Sequence, residues 1–263
     1  MRFLCLHGIG SNSQASNVIL NSFGLYKGLL ISLLISDPGK LTACPAAIRY
    51  ELGTQHTYDF VEGALPWESC KADLPPHIVE GFLTIEYVAI KNVTKTDEAT
   101  FTFCDPEQPH SCRQAARDIE GYINEEGPFD GIIGFSLGAT MALSWLVNWY
   151  QTKQANGSEV APFKVAVFFS NARQPFDHDA LAMDRIAYLD SVQMGKVIDI
   201  PTAHIWGSAD PQAEEAQRAV NFCDSERRSI FVHEKGHEIP SSVEDTVSIA
   251  KVINRAIYQV EGK

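Results

Sequence analysis

A serine between two glycines is the first residue in the chain whose setting indicates chemistry. In DGIIGFSLGAT, residues 130–140, Ser136 follows an apolar run and is flanked by Gly134 and Gly138. A strand before such a serine and a helix after it form a nucleophile elbow, a strained turn that exposes the hydroxyl at the helix N-terminus. The pattern alone is short enough to occur by chance. Its interpretation as a nucleophile therefore depends on a base, an acid and oxyanion donors elsewhere in the chain.

Two histidines near the end of the chain are candidates for the base. The segment HEKGHEIP places His233 at the end of an apolar strand and His237 in the glycine-containing loop that follows it. We assign His237 as the base and keep His233 as its rival, for which a structural role is favoured. The spacing of the two histidines also fits a metal pair, but no third ligand is evident, so we expect no metal and no cofactor.

An aspartate in the loop after another apolar strand is the candidate for the acid. Asp210, in HIWGSADPQAEE, can fix the tautomer of the base and stabilise its imidazolium form. It could at the same time cap a helix that begins at Pro211. Other aspartates lie in less suitable places: Asp179, Asp184 and Asp224. The chain order Ser136, Asp210, His237 is the order found in α/β-hydrolases.

Two backbone amides are expected to stabilise the oxyanion of a tetrahedral intermediate. One is the N–H of Leu137, the residue after the nucleophile. The other belongs to the loop HGIGSN, where we assign the N–H of Ile9, with Gly10 as the alternative. His7 could be taken for a base, but we expect it to orient this loop through a hydrogen bond.

Strands and helices alternate along the chain, which predicts a mostly parallel sheet covered on both faces, as in an α/β-hydrolase fold. The predicted strands are 2–7, 57–61, 129–135, 163–170, 202–206 and 229–233, with weaker candidates at 85–90 and 100–104. The predicted helices are one that ends before Gly127, then 137–150, 212–222 and 243–260. We expect a single domain over residues 1–263.

For two of these helices the sequence also predicts the start or the buried face. Ser111 and Gln114 form a capping-box pattern that predicts a helix start at Ser111. In the last helix one face is expected to be buried: Val243, Thr246, Val247, Ala250, Ile253 and Ile257. Residues 62–82 and 171–196 do not fit the alternation, and they either cover a site near the strand ends or are surface excursions with a few buried anchors.

Composition excludes some functions. Apolar residues make up 45% of the 263 residues, enough for a substantial core, and the formal net charge is −12. That charge argues against binding to nucleic acid or to anionic membranes. The six cysteines are scattered, without metal or redox spacing, and the first residues lack a signal-peptide pattern. We therefore expect a cytoplasmic protein with free thiols, in which Cys5 and Cys104 pack in the core.

The chain resembles the fungal serine hydrolase (FSH) family of α/β-hydrolases. The matching stretches are FLCLHGIGSNS, AIRYELGTQHTYDFVEG, GPFDGIIGFSLGA, AHIWGSADP and GHEIP. The resemblance implies Ser136, His237 and Asp210 as a catalytic triad. It is nearest to the branch encoded beside fungal polyketide synthases, whose members hydrolyse esters or thioesters and release or trim polyketide chains.

One segment departs from that resemblance. About residues 22–44 form an atypical insert between the first loop and AIRYELG, and its apolar run GLLISLLIS is too short to span a bilayer. We consider three interpretations of this segment: an extra helix, an apolar flap near the site, or non-coding sequence retained in the gene model. We favour the last of these.

The leading hypothesis is a serine hydrolase that cleaves an acyl ester or thioester in polyketide biosynthesis. Its partners would be a small acyl ester or a carrier-bound acyl thioester, and with the latter a polyketide synthase. Carrier proteins are generally acidic, so an acidic enzyme would need a local basic patch, for which Lys91, Lys95 and Arg173 are candidates. The alternatives are a general short-chain carboxylesterase, an acyltransferase that uses the same triad, or a binding module that has lost catalysis.

Overall fold

Six parallel strands form the central sheet of the computed structural model, which describes residues 1–10, 46–67, 100–156 and 161–262. The strands are β1 (Arg2–Leu6), β2 (Thr57–Val61), β3 (Leu65–Pro66), β4 (Phe101–Thr102), β5 (Gly131–Phe135), β6 (Val165–Phe169), β7 (Thr202–Gly207) and β8 (Arg228–His233). The order in the sheet is β2-β1-β5-β6-β7-β8, and β3 and β4 form a separate antiparallel pair. The carboxyl ends of all six parallel strands therefore meet at one edge.

Helices cover both faces of this sheet. They are α1 (Ala46–Leu52), α2 (Pro109–Glu126), α3 (Leu137–Asn156), α4 (His178–Ala182), α5 (Ser191–Met194), α6 (Ala213–Ala219) and α7 (Val243–Glu261). A 3₁₀ turn, Val220–Phe222, extends α6. The predicted α/β-hydrolase architecture is confirmed. The weak strand candidate at 100–104 shortens to β4, and the one at 85–90 lies outside the described residues, as do the insert at 22–44 and residues 68–82.

Alternation along the strands divides the core into two layers. On β1, Leu4 and Leu6 face the layer that contains α2 and α3, whereas Phe3 and Cys5 face the layer that contains α1 and α7. All four side chains are at most 1% exposed. Burying a side chain such as Leu or Phe stabilises the fold by about 1.5–3 kcal/mol, so the alternation fixes the register of the strand. Cys104 is also fully buried, so both cysteines pack in the core as expected.

The start of α2 differs from the prediction. The helix begins at Pro109, after Gln108, and Ser111 is already inside the first turn. The Ser111 hydroxyl accepts a hydrogen bond from the Asp105 amide (2.9 Å), and Gln114 donates to Asp118 (2.8 Å), so the capping box is not formed. Proline explains the difference, because its fixed φ suits the first helical position, where no N–H is needed. The helix ends at Gly127, as expected.

The buried face of α7 is also slightly different from the prediction. Thr246, Ala250, Ile253 and Ile257 are buried and Val247 is half-buried, but Val243 is 73% exposed because it is the first residue of the helix. The positions that complete the buried face are Ile249 and Ala256. Within the described residues, no helix is both long and apolar enough to cross a membrane.

The irregular segment 171–196 lies on α3. The amide of Arg173 donates to the Thr140 hydroxyl (3.1 Å), and the amide of Phe176 donates to the Ser144 hydroxyl (2.9 Å). Phe176 and Leu181 are buried against the α2–α3 layer. Hydroxyls on an otherwise apolar helix thus satisfy the backbone of a segment that has little regular structure of its own.

A buried histidine in β7 is neutral inside the sheet. His204 is 2% exposed, packs against Phe168 with ring centroids 5.1 Å apart and shares a hydrogen bond with the Thr202 hydroxyl (3.1 Å). Burial, aided by the nearby Arg228 charge, lowers the pKa of His204 to about 3.

The His204 environment predicts acid sensitivity. Below the ordinary histidine pKa of 6.5 the unfolded chain binds a proton that the folded chain does not. The stabilisation is therefore complete above that pH and falls by about 1.4 kcal/mol per pH unit as the pH drops toward about 3. Chemical denaturation at several pH values should show a shallower pH dependence of the unfolding free energy in His204→Leu than in the wild type. Equal slopes would contradict a neutral His204.

Candidate active site

Ser136 lies in a strained turn between β5 and α3. Its φ is +54°, a conformation that is costly for a residue with a side chain, and it is only 2% exposed. The two flanking glycines are needed for close backbone contacts. A Cβ on Gly134 would lie 2.5 Å from the Ala139 Cα, and one on Gly138 would lie 2.3 Å from the Leu6 carbonyl oxygen. Strand, helix and the end of β1 can therefore meet at the serine only because both side chains are absent.

A continuous chain of hydrogen bonds joins the three predicted triad residues. The His237 Nε2 lies 2.8 Å from the Ser136 Oγ, and its Nδ1 lies 2.8 Å from the Asp210 Oδ2. These residues come from the ends of β5, β7 and β8, which share one edge of the sheet. Because the aspartate oxygen accepts the Nδ1–H, the Nε2 carries the lone pair that faces the serine hydroxyl.

The second oxygen of Asp210 fixes the carboxylate itself. Asp210 Oδ1 accepts the backbone N–H of Gln212 at 2.8 Å, and the side chain is fully buried. The helix that follows begins at Ala213 with Gln212 as its N-cap, two residues later than the sequence suggested. The reason is local, because Asp210 forms an Asx turn with Gln212 rather than a helix cap. One oxygen thus orients the carboxylate, and the other remains for the imidazole.

The loops that carry Asp210 and His237 lie directly against each other. A Cβ on Gly207 would lie 2.0 Å from the Lys235 carbonyl oxygen and 2.4 Å from that of Gly236. The Ala209 amide donates to the same Lys235 carbonyl at 3.1 Å. Gly207 therefore allows the loop after β8 to cross the end of β7, and this crossing brings His237 to Asp210.

The loop after β1 passes beside the serine. A Cβ on Gly8 would lie 3.1 Å from the Ser136 Cβ. The Gly10 amide donates to the Phe101 carbonyl at 3.0 Å, so the alternative oxyanion donor is already engaged. Among the described residues, no backbone carbonyl accepts the amide of Ile9 or of Leu137.

His7 anchors this loop with both ring nitrogens. Its Nδ1 donates to the Gly8 carbonyl at 2.6 Å, and its Nε2 accepts the Gly63 N–H at 2.9 Å. Burial lowers the pKa of His7, against opposing effects of the Gly8 carbonyl and the Glu62 charge, and favours the neutral form that these contacts require. The expected hydrogen bond that orients the loop is present.

The remaining candidates lie elsewhere. Asp179 and Asp184 are in or just after α4, and the Asp224 carboxylate is paired with Lys196 at 3.1 Å. Among the described residues, no group of three or more histidine, cysteine or acidic side chains could hold a metal ion. Both ring nitrogens of His237 are occupied by Ser136 and Asp210.

The sequence interpretation did not include two glycines of the site. Gly207 allows the loops of Asp210 and His237 to cross, and the Gly63 N–H donates to His7. Each directly follows or closely follows a predicted strand, in HIWG and in YDFVEG. A glycine after a predicted strand is the only sign in the sequence that these two positions matter. It does not reveal which other segment of the main chain approaches the glycine.

A parallel sheet that holds a buried serine, histidine and aspartate at its carboxyl edge defines this protein as an α/β-hydrolase. The structure of SOBER1 from Arabidopsis thaliana has the same fold, with a TM-score of 0.51 at 14% identity over 98% of this chain and 99% of that one.

The family is shown by the sequence comparison. Residues 40–249 match the model of the family described as Serine hydrolase (FSH1), and the chain belongs to that family; the protein is a hydrolase. The match begins inside the segment that was interpreted as an insert.

Two curated fungal relatives are similar over nearly their whole length. Esterase FPY3 of Fusarium mangiferae is 29% identical over 98% of this chain and 99% of its own. Hydrolase phiM from a fungal species is 26% identical over 99% of this chain and 95% of its own.

The contact at Gly207 predicts a strong effect of one methyl group. Gly207→Ala should lower kcat for an ester substrate by about 100-fold or more, because the Cβ would displace the loop that carries His237. Gly121→Ala is the matched control, since a Cβ there has nothing within 4 Å, and it should retain wild-type kcat. Steady-state kinetics on both variants measures the difference. A Gly207→Ala enzyme with kcat within twofold of the wild type would show that the crossing does not hold the base in place.

Proposed function

We propose that the protein cleaves acyl esters or thioesters through an acyl-enzyme on Ser136, with His237 as general base and acid and Asp210 as its orienting carboxylate. The observation that carries this proposal is the hydrogen-bond chain from Ser136 through His237 to Asp210, with 2.8 Å at both steps. Such a chain activates a serine hydroxyl, which is otherwise a poor nucleophile.

In the first half-reaction, the Ser136 Oγ attacks the substrate carbonyl while its proton passes to the His237 Nε2. The imidazolium that forms is stabilised by the Asp210 carboxylate, 2.8 Å from its Nδ1. When the tetrahedral intermediate collapses, the bond to the leaving group breaks and the Nε2 proton passes to the departing alcohol or thiol. Water then attacks the acyl-enzyme by the same route in reverse, which releases the acid and restores the serine.

The oxyanion of the intermediate is proposed to accept hydrogen bonds from the amides of Leu137 and Ile9. Leu137 is the first residue of the 20-residue helix α3, so its N–H also benefits from the positive end of the helix dipole. The close contact of Gly8 with Ser136 supports Ile9 as the second donor. The loss of one such donor typically costs about 10²–10³ in rate.

As substrates we propose a small acyl ester or a carrier-bound acyl thioester of fungal polyketide biosynthesis. The relative from Fusarium mangiferae is named an esterase, which supports ester cleavage. The protein has a formal net charge of −12, so an acidic carrier protein would be repelled unless a local basic patch offset the repulsion, whereas a small free ester would not. The Arg173 side chain, one candidate for a basic patch, is only 12% exposed and donates to Tyr188 (3.0 Å) and Glu107 (3.4 Å). Lys91 and Lys95 lie outside the described residues.

The nucleophile assignment predicts the behaviour of two serine variants. Ser136→Ala should lose labelling by a fluorophosphonate probe and lower kcat for p-nitrophenyl acetate by at least about 10⁴-fold. Ser191→Ala should keep both, since Ser191 is equally buried but lies in α5, and its hydroxyl has no hydrogen-bond partner among the described residues. Continued labelling of Ser136→Ala would disprove the assignment.

The leaving group can be tested separately on the wild-type enzyme. When each kcat/KM is divided by the rate of uncatalysed hydrolysis of the same compound, we expect a higher ratio for p-nitrophenyl esters than for N-acetylcysteamine thioesters of the same acyl chains, because a small free ester is the favoured substrate. A reversed preference would favour thioester cleavage.

Product analysis with an added alcohol separates hydrolysis from acyl transfer, because an acyltransferase would form a new ester instead of the acid.

A further inference from the structure

We infer that His233 is a positioning residue, whose imidazole holds the turn that presents His237 to Ser136. This inference rests on the proposed function, since it concerns the base of the same reaction. His233 is the last residue of β8 and is 3% exposed. Its Nδ1 accepts the backbone N–H of Lys235 at 3.2 Å. The sequence favours a structural role for His233 but does not show which group it holds.

The contact with Lys235 determines the state of the His233 ring. A backbone amide can only donate, so Nδ1 must carry a lone pair and the proton must lie on Nε2. Burial lowers the pKa of His233, although the carboxylates of Asp245, Glu238 and Asp210 and the nearby Glu238 backbone oppose this. A neutral ring is therefore compatible with the role that the geometry gives it.

The turn after β8 is held on both sides. The His233 ring takes the Lys235 N–H, and the Ala209 amide donates to the Lys235 carbonyl at 3.1 Å. The Ser208 amide donates to the His233 carbonyl at 2.7 Å. Two successive peptide groups around Lys235 are thus fixed, one by the buried histidine and one by the loop that carries Asp210.

This arrangement connects His233 to the chemistry without any contact to the substrate. His237 is two residues beyond Lys235, so a rotation of the Lys235 peptide moves the imidazole relative to both Ser136 and Asp210. The hydrogen bonds at Nε2 and Nδ1 of His237 are both 2.8 Å and leave little tolerance for such a movement. A misplacement of about 1 Å can cost about 10²-fold in rate.

The test compares two substitutions of His233. His233→Leu removes the acceptor, whereas His233→Asn keeps one, because the Asn Oδ1 occupies about the position of the histidine Nδ1. We expect His233→Leu to lower kcat for p-nitrophenyl acetate by about 10- to 100-fold with KM within about twofold, and His233→Asn to recover most of that loss.

The readout is kcat per active site, with active sites counted by stoichiometric fluorophosphonate labelling. A residue that only stabilises the fold would change the number of labelled sites and the melting temperature, but not kcat per labelled site. His204→Leu is the matched control, because it removes another buried histidine, in the middle of β7, and should change only the melting temperature.

Two outcomes would overturn the inference. One is a His233→Leu enzyme whose kcat per labelled site is within twofold of the wild type. The other is an equal loss of kcat in His233→Leu and His233→Asn, which would show that the acceptor at Nδ1 is not what matters. Failure of the proposed function is recognised independently, since Ser136→Ala would then remain active and labelled whatever the His233 variants do.

Discussion

The imidazole of His237 has a hydrogen-bond partner on each side, Ser136 and Asp210, and the sheet holds the loops that carry these residues in place. Ser136 follows β5, Asp210 follows β7 and His237 follows β8, so a single ring joins three loops. Parallel strands make this possible because all their carboxyl ends lie at the same edge. The strand β6 lies between β5 and β7, and its backbone also contributes, since the Phe169 carbonyl accepts the Ser136 amide at 3.0 Å.

Close backbone contacts are the second requirement of the site. Gly8, Gly134, Gly138 and Gly207 each lie where a Cβ would come within about 3 Å of another segment, and all four surround the triad. None of them does chemistry, and only their lack of a side chain matters. The hydrogen-bond geometry of Ser136, His237 and Asp210 is thus set by how near main-chain segments approach one another.

Much of this site could be predicted from the sequence, and the reason is local. A strand-like run, a turn and a helix are encoded by neighbouring residues, so the elbow at Ser136 and the loops of Asp210 and His237 were recognisable in order. The catalytic role of these three side chains stays a prediction, and the experiments on Ser136→Ala test it. The start of α2 at Pro109 was missed because a proline signal competed with a capping pattern two residues later. The contact of Gly207 with the carbonyls of Lys235 and Gly236 joins loops that are far apart in the chain, and no spacing in the sequence records such a contact.

His237 follows a strand at an edge of the sheet. Within the described chain, β8 pairs only with β7 and forms the edge of the sheet, with Ile230 and Val232 exposed to solvent. Edge elements open more readily than central ones, so local fluctuations of this strand require less free energy than unfolding of the whole domain. Ser136, by contrast, follows β5, which is enclosed by β1 and β6. The hydrogen bond between His237 and Ser136 therefore joins a loop at the edge of the sheet to its centre, and a local opening of that edge would break this bond while the central strands stay paired.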